Sequence, residues 1–314
     1  MKRKTKTTIK RNAQGLLFVT PLIAYFLIFQ LLPMVIAFVI SFSDWDGMAE
    51  EIGWVGLQNY VALVSNKHDL YPNFWKSLLV SVEYILLTVP ANIILSLVVS
   101  ALLNSKIKAE RFFKTAFYIP SVTVGVAVMA LWRFMLDPTY GMINQLLGTN
   151  INFLGTEGLD LVTLAVMSVW GGLGYNVLIM LSAMKNIDGS LYEAASIDGA
   201  NAFQKFWNIT VPGVTPTVFF FLVTGIIGGF QAFEQMWLMT GTGTNFSTYT
   251  YVYGVYEQSM VNNELGIGSA MSFILFGFLL ILTLIQFRSL HIETDVNKKK
   301  KSLFARMKKK EGTV

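Results

Sequence analysis

Six long apolar stretches, separated by polar segments, dominate the hydrophobic pattern of this chain. Each consists mostly of Leu, Ile, Val, Phe and Ala, and each approaches the roughly 20 residues that a helix needs to cross a bilayer. The pattern predicts an all-α integral membrane protein with six transmembrane helices in a single domain, 1–314. The predicted spans are 17–40, 78–103, 112–134, 161–184, 215–239 and 270–287.

The first apolar stretch follows a basic N-terminal segment, 1–11, which is also how a secretory signal peptide begins. The apolar run is longer than the core of a signal peptide, and no cleavage site of small residues follows it. We therefore expect this stretch to be retained as the first span.

Basic residues fall mainly on one side of the predicted spans. Most of the 24 lysines and arginines lie in the N-terminal segment, in the loop after the second span, in the loop 185–212 and in the tail 288–314. Because basic loops remain on the cytoplasmic side, both termini are predicted to be cytoplasmic. The tail could also suggest a nucleic-acid site, but juxtamembrane lysines near anionic lipid headgroups explain it better. The expected contact is with the lipid bilayer and not with nucleic acid.

Composition supports a membrane protein and argues against several chemistries. Charged residues make up 14% of the chain, whereas soluble domains carry about 25%. With no cysteine, and only His68 and His291 as histidines, the chain is not expected to bind a metal. It contains no phosphate-binding loop of the form Gly-x-x-x-x-Gly-Lys-Ser/Thr, and the spans offer no cluster of catalytic side chains. We therefore expect neither an enzyme nor a bound cofactor.

The loop 185–212 has the signals of a short surface helix. Ser190 and Glu193 have the spacing of a capping box, which starts a helix, and Ala194 and Ala195 favour helix. Gly199 can end it, because glycine readily adopts the left-handed conformation. A second short helix is predicted over 202–208. The first helix would present a small apolar surface, which could press into a groove on a partner.

This loop also resembles the signature of bacterial ABC importer permeases. The matching motif reads Glu193-Ala194-Ala195, three residues, Gly199, nine residues, Ile209, one residue, Val211-Pro212, with valine where leucine is usual. The resemblance implies the type I, MetI-like permease fold. It also implies that the loop forms the coupling helix that docks on an ATPase subunit. The residues carried over for coupling are Glu193, Ala194, Ala195, Ile197, Asp198, Gly199 and Ala200.

The resemblance extends along most of the chain and points to the carbohydrate branch of that family, which includes maltose-type, oligosaccharide and glycerol-phosphate importers. The matching segments are 56–60, 74–77, 101–104, 111–120, 137–141, 198–200 and 251–257. It implies four kinds of partner: a second homologous permease in a heterodimer, an ABC ATPase dimer, an extracytoplasmic solute-binding protein and the bilayer. ATP and Mg²⁺ would then bind to the ATPase, and the chain would be a multi-pass protein of the bacterial cytoplasmic membrane.

Polar side chains inside the spans are candidates for the substrate path, because they are energetically costly there. An aromatic face beside hydrogen-bonding groups suits a sugar, and the segment 170–176 supplies both. In maltose-type relatives the matching segment contributes sugar contacts, whereas the fifth span here carries glycines where those relatives have polar groups. Packing alone would also explain Trp170. The candidates are Glu83, Asn92, Trp170, Gly172, Tyr175, Asn176, Gln231 and Glu234.

Other functions remain open at this point. The chain could be an ABC permease for a non-sugar solute such as an amino acid, a polyamine or glycerol phosphate. A secondary transporter or channel would usually show inverted repeats and ion sites, and would leave the loop 185–212 unexplained. An integral-membrane enzyme would need a catalytic cluster.

Overall fold

The computed structural model describes residues 19–48, 50–65, 70–105, 110–123 and 125–311. Several features considered above lie outside the described residues. They are the basic segment 1–11, the first two residues of the predicted first span, His68, Lys106 and Lys108 of the basic second loop, and residues 312–314 of the tail.

Helices make up nearly all of the regular structure. Among the described residues, the only pairing of extended segments is one antiparallel bridge between Ser43 and Trp54. The prediction of an all-α fold is thereby confirmed. In chain order the α-helices are α1 (Val19–Ile40), α2 (Gln58–Val64), α3 (Leu70–Asn104), α4 (Glu110–Val122), α5 (Gly125–Met135), α6 (Met142–Leu147), α7 (Leu159–Lys185), α8 (Gly189–Ile197), α9 (Ala202–Gly213), α10 (Thr215–Phe230), α11 (Glu234–Met239), α12 (Tyr251–Tyr256) and α13 (Leu265–Glu311). A short 3-10 helix (Thr244–Phe246) precedes α12, and a π-helical turn (Glu257–Val261) continues it.

Four helices in the described part of the chain are long and apolar enough to cross a membrane by themselves: α1, α3, α7 and the first half of α13. Two further pairs meet the same test only together. The axes of α4 and α5 differ by 99°, and those of α9 and α10 differ by 61°. If each bent pair is one span, the total is six, so the predicted span number and the orientation of the termini stay predictions.

Two predicted spans are wrong as continuous helices. The stretch 112–134 is divided between α4 and α5, with Pro120 in the last turn of α4 and Gly125 at the start of α5. Proline removes a backbone hydrogen bond and bends a helix. The stretch 215–239 ends its helix at Phe230 and restarts at Glu234. Adjacent glycines at 228 and 229 weaken helix propensity at this end.

The chain divides into two compact units. The first comprises Met1–Tyr71 and Val255–Phe276. In it, the amide of Asn59 donates hydrogen bonds to the carbonyls of Ser41 and Ser43, at 2.9 and 2.8 Å. Gly266 lies directly against the Ser43 carbonyl, where a side chain would collide. These contacts hold the end of α1 against α2 and the start of α13.

The second unit comprises Pro72–Gly254 and Gly277–Val314, and it contains the candidate sites. Its helices approach closely at glycines. Gly174 of α7 lies against the carbonyl of Phe117 in α4, and Gly229 of α10 lies against Ile85 of α3. Small residues let membrane helices pack at short range. The result is a bundle in which α3, α7 and α10 lie side by side.

Candidate functional site

A cavity of about 160 Å³ lies between α3, α7 and α10, and it is open on one side. Its wall combines hydroxyl and amide groups with aliphatic residues, two aromatic rings and three glycines. The lining residues are Tyr84, Thr88, Val89, Asn92, Ile93, Ser168, Asn176, Phe221, Gly225, Gly228 and Gly229.

The polar lining comes from two stripes at helical spacing. On α3 the polar side chains follow at every fourth residue, at Tyr84, Thr88 and Asn92, and on α7 Ser168 and Asn176 lie eight residues apart. Residues four apart lie on the same face of a helix. The two stripes therefore meet along one wall of the cavity.

One end of the cavity wall is a closed ring of hydrogen bonds. The hydroxyl of Tyr84 donates to Oγ of Ser168 at 2.6 Å. The Ser168 hydroxyl donates in turn to Oε1 of Gln235 at 2.6 Å. Nε2 of Gln235 donates back to the Tyr84 hydroxyl. The ring joins α3, α7 and α11.

The other end of the wall carries a pair of amides. Nδ2 of Asn176 donates to Oδ1 of Asn92 at 2.7 Å. Gly172 makes room for this pair, because a Cβ atom at that position would lie 3.1 Å from Nδ2 of Asn92. The pair leaves an amide nitrogen of Asn92 and an amide oxygen of Asn176 available to a ligand.

The chemistry of this wall is that of binding and not of reaction. Among the described residues, none that lines the cavity carries a formal charge, and no group of three or more His, Cys, Asp or Glu side chains is placed to hold a metal ion. Hydroxyl and amide groups in an apolar surround can bind a polar, uncharged molecule through directed hydrogen bonds.

Three of the residues predicted for the substrate path come together here: Asn92, Gly172 and Asn176. Of these, Asn92 and Asn176 line the cavity and Gly172 lies beside Asn92, while the other five predicted residues are not among the lining residues. Glu83 is exposed beside Tyr84 on α3, and Tyr175 is exposed on α7. Trp170 packs edge to face on Trp132, with ring centroids 5.5 Å apart. Gln231 and Glu234 are exposed on either side of the break between α10 and α11.

Sequence reasoning missed Tyr84, Thr88, Ser168 and Gln235. The signal that could have revealed the first three is the four-residue spacing, since Tyr84 and Thr88 precede Asn92, and Ser168 precedes Gly172 and Asn176. Gln235 carries no such signal, because it lies beyond a helix break that the sequence pattern did not predict.

The predicted surface helix is present as α8, but its start was assigned to the wrong residue. The N-cap is Asp188, whose carboxylate accepts a hydrogen bond from the backbone N–H of Ser190 at 3.0 Å. Aspartate at this position satisfies a free N–H of the first turn. The same backbone hydrogen bond lowers the pKa of the Asp188 carboxyl from its ordinary value. Gly199 has a φ of +77°, so its predicted left-handed conformation is confirmed.

Side-chain hydrogen bonds connect one face of α8 to α9. The hydroxyl groups of Tyr192 and Thr210 share a hydrogen bond of 2.9 Å. Nζ of Lys205 donates to Oγ of Ser196 at 2.8 Å. α9 begins with a reciprocal capping box between Asn201 and Gln204 and continues through a π-helical turn to Gly213, beyond the predicted end at 208. The two hydrogen bonds therefore hold α8 and α9 together at the surface.

The outer face of α8 is unpaired within the described chain. Ile197 is 87% exposed, and Leu191 is also exposed. Of the residues predicted for coupling, Glu193, Ala194, Ile197, Asp198 and Gly199 are exposed, while Ala195 and Ala200 are partly covered. A helix that is held in place on one side and exposes small apolar side chains on the other is suited to dock in a groove of a partner protein.

Apolar helices around an uncharged polar cavity, together with a braced surface helix, define a membrane transport subunit. The chain belongs to the family of binding-protein-dependent transport system inner membrane components, whose model matches residues 16–290. It is thus the permease component of an ABC transport system and a membrane protein.

Two relatives from Bacillus subtilis (strain 168) show the extent of the likeness. The probable ABC transporter permease protein YesP is 33% identical over 295 residues, which is 91% of this chain and 93% of YesP. The arabinooligosaccharides transport system permease protein AraP is 31% identical over 289 residues, which is 88% of each chain.

A solved structure has the same fold. It is a bacterial ABC transporter involved in the import of the acidic polysaccharide alginate, and the match has a TM-score of 0.80 at 21% identity. It covers 91% of this chain and 98% of the other. The predicted MetI-like permease fold is confirmed.

Proposed function

We propose that this chain is the permease through which a bacterial ABC importer moves a carbohydrate, an oligosaccharide or a sugar derivative, across the cytoplasmic membrane. An extracytoplasmic solute-binding protein would deliver the sugar. The observation that carries the proposal is the cavity between α3, α7 and α10, which is lined by hydroxyl and amide groups. The likeness to a permease for arabinooligosaccharides supports the same substrate class.

The charge of the wall favours a sugar over the other solutes considered. A phosphate or carboxylate ligand calls for arginine or lysine partners, and a polyamine calls for carboxylates. Neither kind of side chain is among those of the described residues that line the cavity. A charged solute would therefore lose its hydration on this wall without a compensating ion pair.

The size of the cavity supports a second permease subunit. Ligand pockets commonly measure about 300–1,000 Å³, whereas this open cavity measures about 160 Å³. A homologous permease facing the open side would complete the pocket, in a heterodimer. α1 supports the same arrangement, because it is apolar on all sides. No residue of its most hydrophobic stretch is buried within the described part of the chain. It is available to lipid or to the partner permease.

The surface helix α8 is the proposed connection to ATP hydrolysis. Its exposed residues, Glu193, Ala194, Ile197, Asp198 and Gly199, would dock on an ABC ATPase, with Ala195 and Ala200 beneath them. ATP and Mg²⁺ would bind to the ATPase dimer, and this chain would catalyse no reaction itself. Closure of the ATPase dimer would move α8 and, through α9, the bundle around the cavity. Such motion switches between two rigid arrangements.

Uptake measurements in cells that lack this chain test the proposal. Labelled arabino-, xylo- and malto-oligosaccharides, oligogalacturonides, glycerol 3-phosphate, spermidine and an amino-acid mixture serve as probes. We expect loss of uptake of at least one neutral oligosaccharide, restored by the wild-type chain and dependent on the associated ATPase. Loss confined to glycerol 3-phosphate, spermidine or amino acids would overturn the carbohydrate assignment. Uptake that persists without the ATPase would overturn ATP coupling.

A further inference from the structure

We propose that Gln235, which does not itself line the cavity, is a positioning residue that sets the hydrogen-bonding character of the cavity wall. By closing the ring with Tyr84 and Ser168, it makes these two hydroxyl groups acceptors toward the cavity. This inference rests on the proposed function, and it narrows the ligand to an uncharged molecule rich in hydroxyl groups.

The argument begins with the hydrogens of the ring. A hydroxyl group has one hydrogen to donate and two lone pairs to accept with. Tyr84 donates its hydrogen to Ser168, and Ser168 donates its hydrogen to Gln235. If the amide of Gln235 were turned over, the ring would run in the opposite direction, and both hydroxyl hydrogens would still be bound. The oxygens of Tyr84 and Ser168 thus meet the cavity with lone pairs only.

Thr88 extends this acceptor surface. Its hydroxyl donates to the carbonyl of Tyr84 within α3 at 2.8 Å, so its oxygen also faces a ligand as an acceptor. At the other end of the wall, Asn92 keeps its amide hydrogens, because its bond with Asn176 is made through its oxygen. The wall therefore has an acceptor end and an end that can donate.

A ligand that complements both ends must donate to one and accept from the other. Hydroxyl groups do both. A phosphate dianion only accepts, so it would be opposed at the acceptor end. An ammonium group could donate to oxygens at both ends, but the lining offers no carboxylate to neutralise its charge. The wall thus selects a polyhydroxylated neutral ligand through the direction of its hydrogen bonds as well as through its lack of charge.

Gln235 is well placed to hold this arrangement. The next residue, Met236, is fully buried in the cluster that also contains Tyr84 and Leu164, which fixes the backbone of α11 against α3 and α7. The amide of Gln235 therefore reaches the two hydroxyls from an anchored position. Loss of the amide would free the Ser168 hydrogen to turn toward the cavity, and it would leave the Tyr84 oxygen without its donor.

Two substitutions separate hydrogen bonding from packing. Gln235→Met keeps the length of the side chain but opens the ring. Gln235→Glu keeps the shape of the side chain, and its protonated carboxyl group can close the same ring, because it has one O–H and one carbonyl. We expect Gln235→Met to lower the maximal uptake rate of the imported sugar roughly three- to tenfold. At an acidic pH that protonates the carboxyl group, Gln235→Glu should remain within about twofold of the wild type at the same pH, since the ring is then intact.

Uptake is measured in cells with the rest of the transporter unchanged, and rates are normalised to the amount of chain in the membrane. The concentration of half-maximal uptake should stay constant, since the binding protein sets it. Gln145→Met is the matched control: Gln145 is exposed on α6 and is not among the cavity-lining residues, so this variant should behave as the wild type. Tyr84→Phe removes the hydroxyl group and so opens the hydrogen-bond ring, while the aromatic side chain stays. It replaces Gln235→Met as the test of the ring if Gln235→Met does not accumulate.

Three results would overturn the proposal. One is a wild-type rate in Gln235→Met or, where that variant does not accumulate, in Tyr84→Phe. Another is an equal loss in Gln235→Met and in Gln235→Glu at that acidic pH, which would mean that the closed ring does not set the uptake rate. The third is chain-dependent uptake of a phosphate or a polyamine in place of any sugar, which would remove the carbohydrate assignment as well. The first two leave that assignment intact.

Discussion

At the scale of single residues, the polar side chains of the cavity are held in defined positions by one another. Polar groups inside a membrane bundle are costly unless they are hydrogen-bonded, and here the pair Asn92–Asn176 and the ring of Tyr84, Ser168 and Gln235 satisfy most of them internally. The groups that remain are lone pairs at one end, and an amide nitrogen and an amide oxygen at the other, and these are the groups that a ligand would meet.

Gly228 offers the most direct test of the cavity. It lines the cavity, and a Cβ atom there would meet nothing within 4 Å. A side chain at this position would therefore not collide with the protein, but it would occupy the space that a ligand needs. We expect Gly228→Leu to reduce uptake to below about a tenth of the wild-type rate by filling the pocket. Normal amounts of assembled protein should remain in the membrane.

Gly277→Leu is the control for that substitution, because Gly277 also has open space around it and lies on α13, which does not line the cavity. It should transport as the wild type does. Unimpaired uptake by Gly228→Leu would show that the sugar does not pass through this cavity.

The residues of the site were only partly predictable. Asn92 and Asn176 stood out because amides are rare inside apolar spans, and both line the cavity. Glu83 and Glu234 stood out for the same reason, yet they are exposed and away from the lining. A charged residue in a span marks a costly position without saying which direction its side chain faces. That direction depends on how α3, α7 and α10 pack, which hydropathy does not contain.

At the scale of helices, the chain uses proline and glycine to bend what hydropathy shows as straight spans. Pro120 and Gly125 lie at the bend between α4 and α5, and adjacent glycines precede the end of α10. The end of α10 matters for the site. Because α10 stops at Phe230, the chain can turn and bring Gln235 of α11 to the two cavity hydroxyls.

The surface helix α8 gives a prediction about coupling that depends on one backbone angle. Gly199 has a φ of +77° and open space around it, so a substitution there acts through the backbone and not through a clash. We expect Gly199→Val to destabilise the C-terminal end of α8 by about 1–2 kcal/mol, which is the free-energy cost of placing a side chain in the left-handed conformation. Transport and substrate-stimulated ATPase activity should fall together in proteoliposomes of the whole complex.

Gly189→Ala is the matched control for this substitution. Gly189 lies at the other end of α8, and a Cβ atom added there would also meet nothing within 4 Å, but the φ of Gly189 is not positive. Alanine should be tolerated there, with coupling retained. Full coupling in Gly199→Val would contradict a role for the geometry of this helix end in docking.

At the scale of the whole molecule, the bent helix pairs decide how many times the chain crosses the bilayer. The pair of α4 and α5 and the pair of α9 and α10 each form either one broken span or a re-entrant segment. In the first case, the residues on either side of a pair lie on opposite sides of the membrane. In the second case, they lie on the same side.

Cysteine labelling distinguishes these cases cleanly, because the chain contains no cysteine of its own. Single substitutions Ser105→Cys, Asn150→Cys, Ser190→Cys and Thr244→Cys place one thiol before or after each bent pair. We expect a membrane-impermeant maleimide to label Asn150→Cys and Thr244→Cys in intact cells, since six spans place both outside. Ser105→Cys and Ser190→Cys should react only after permeabilisation, with the fully permeabilised sample as the control for reactivity. Asn150→Cys or Thr244→Cys that reacts only after permeabilisation would contradict the six-span topology.

Local sequence by itself determined the class of this protein and the position of its surface helix α8. A run of about 20 apolar residues has few stable environments other than a bilayer, and the end of α8 requires the glycine found at 199, so both features can be read without knowing any distant contact. Only the tertiary structure decided the site. Whether Tyr84, Ser168 and Gln235 meet depends on close helix approach at glycines and on a break after Phe230, and these long-range contacts bring together residues that the chain keeps up to 151 positions apart.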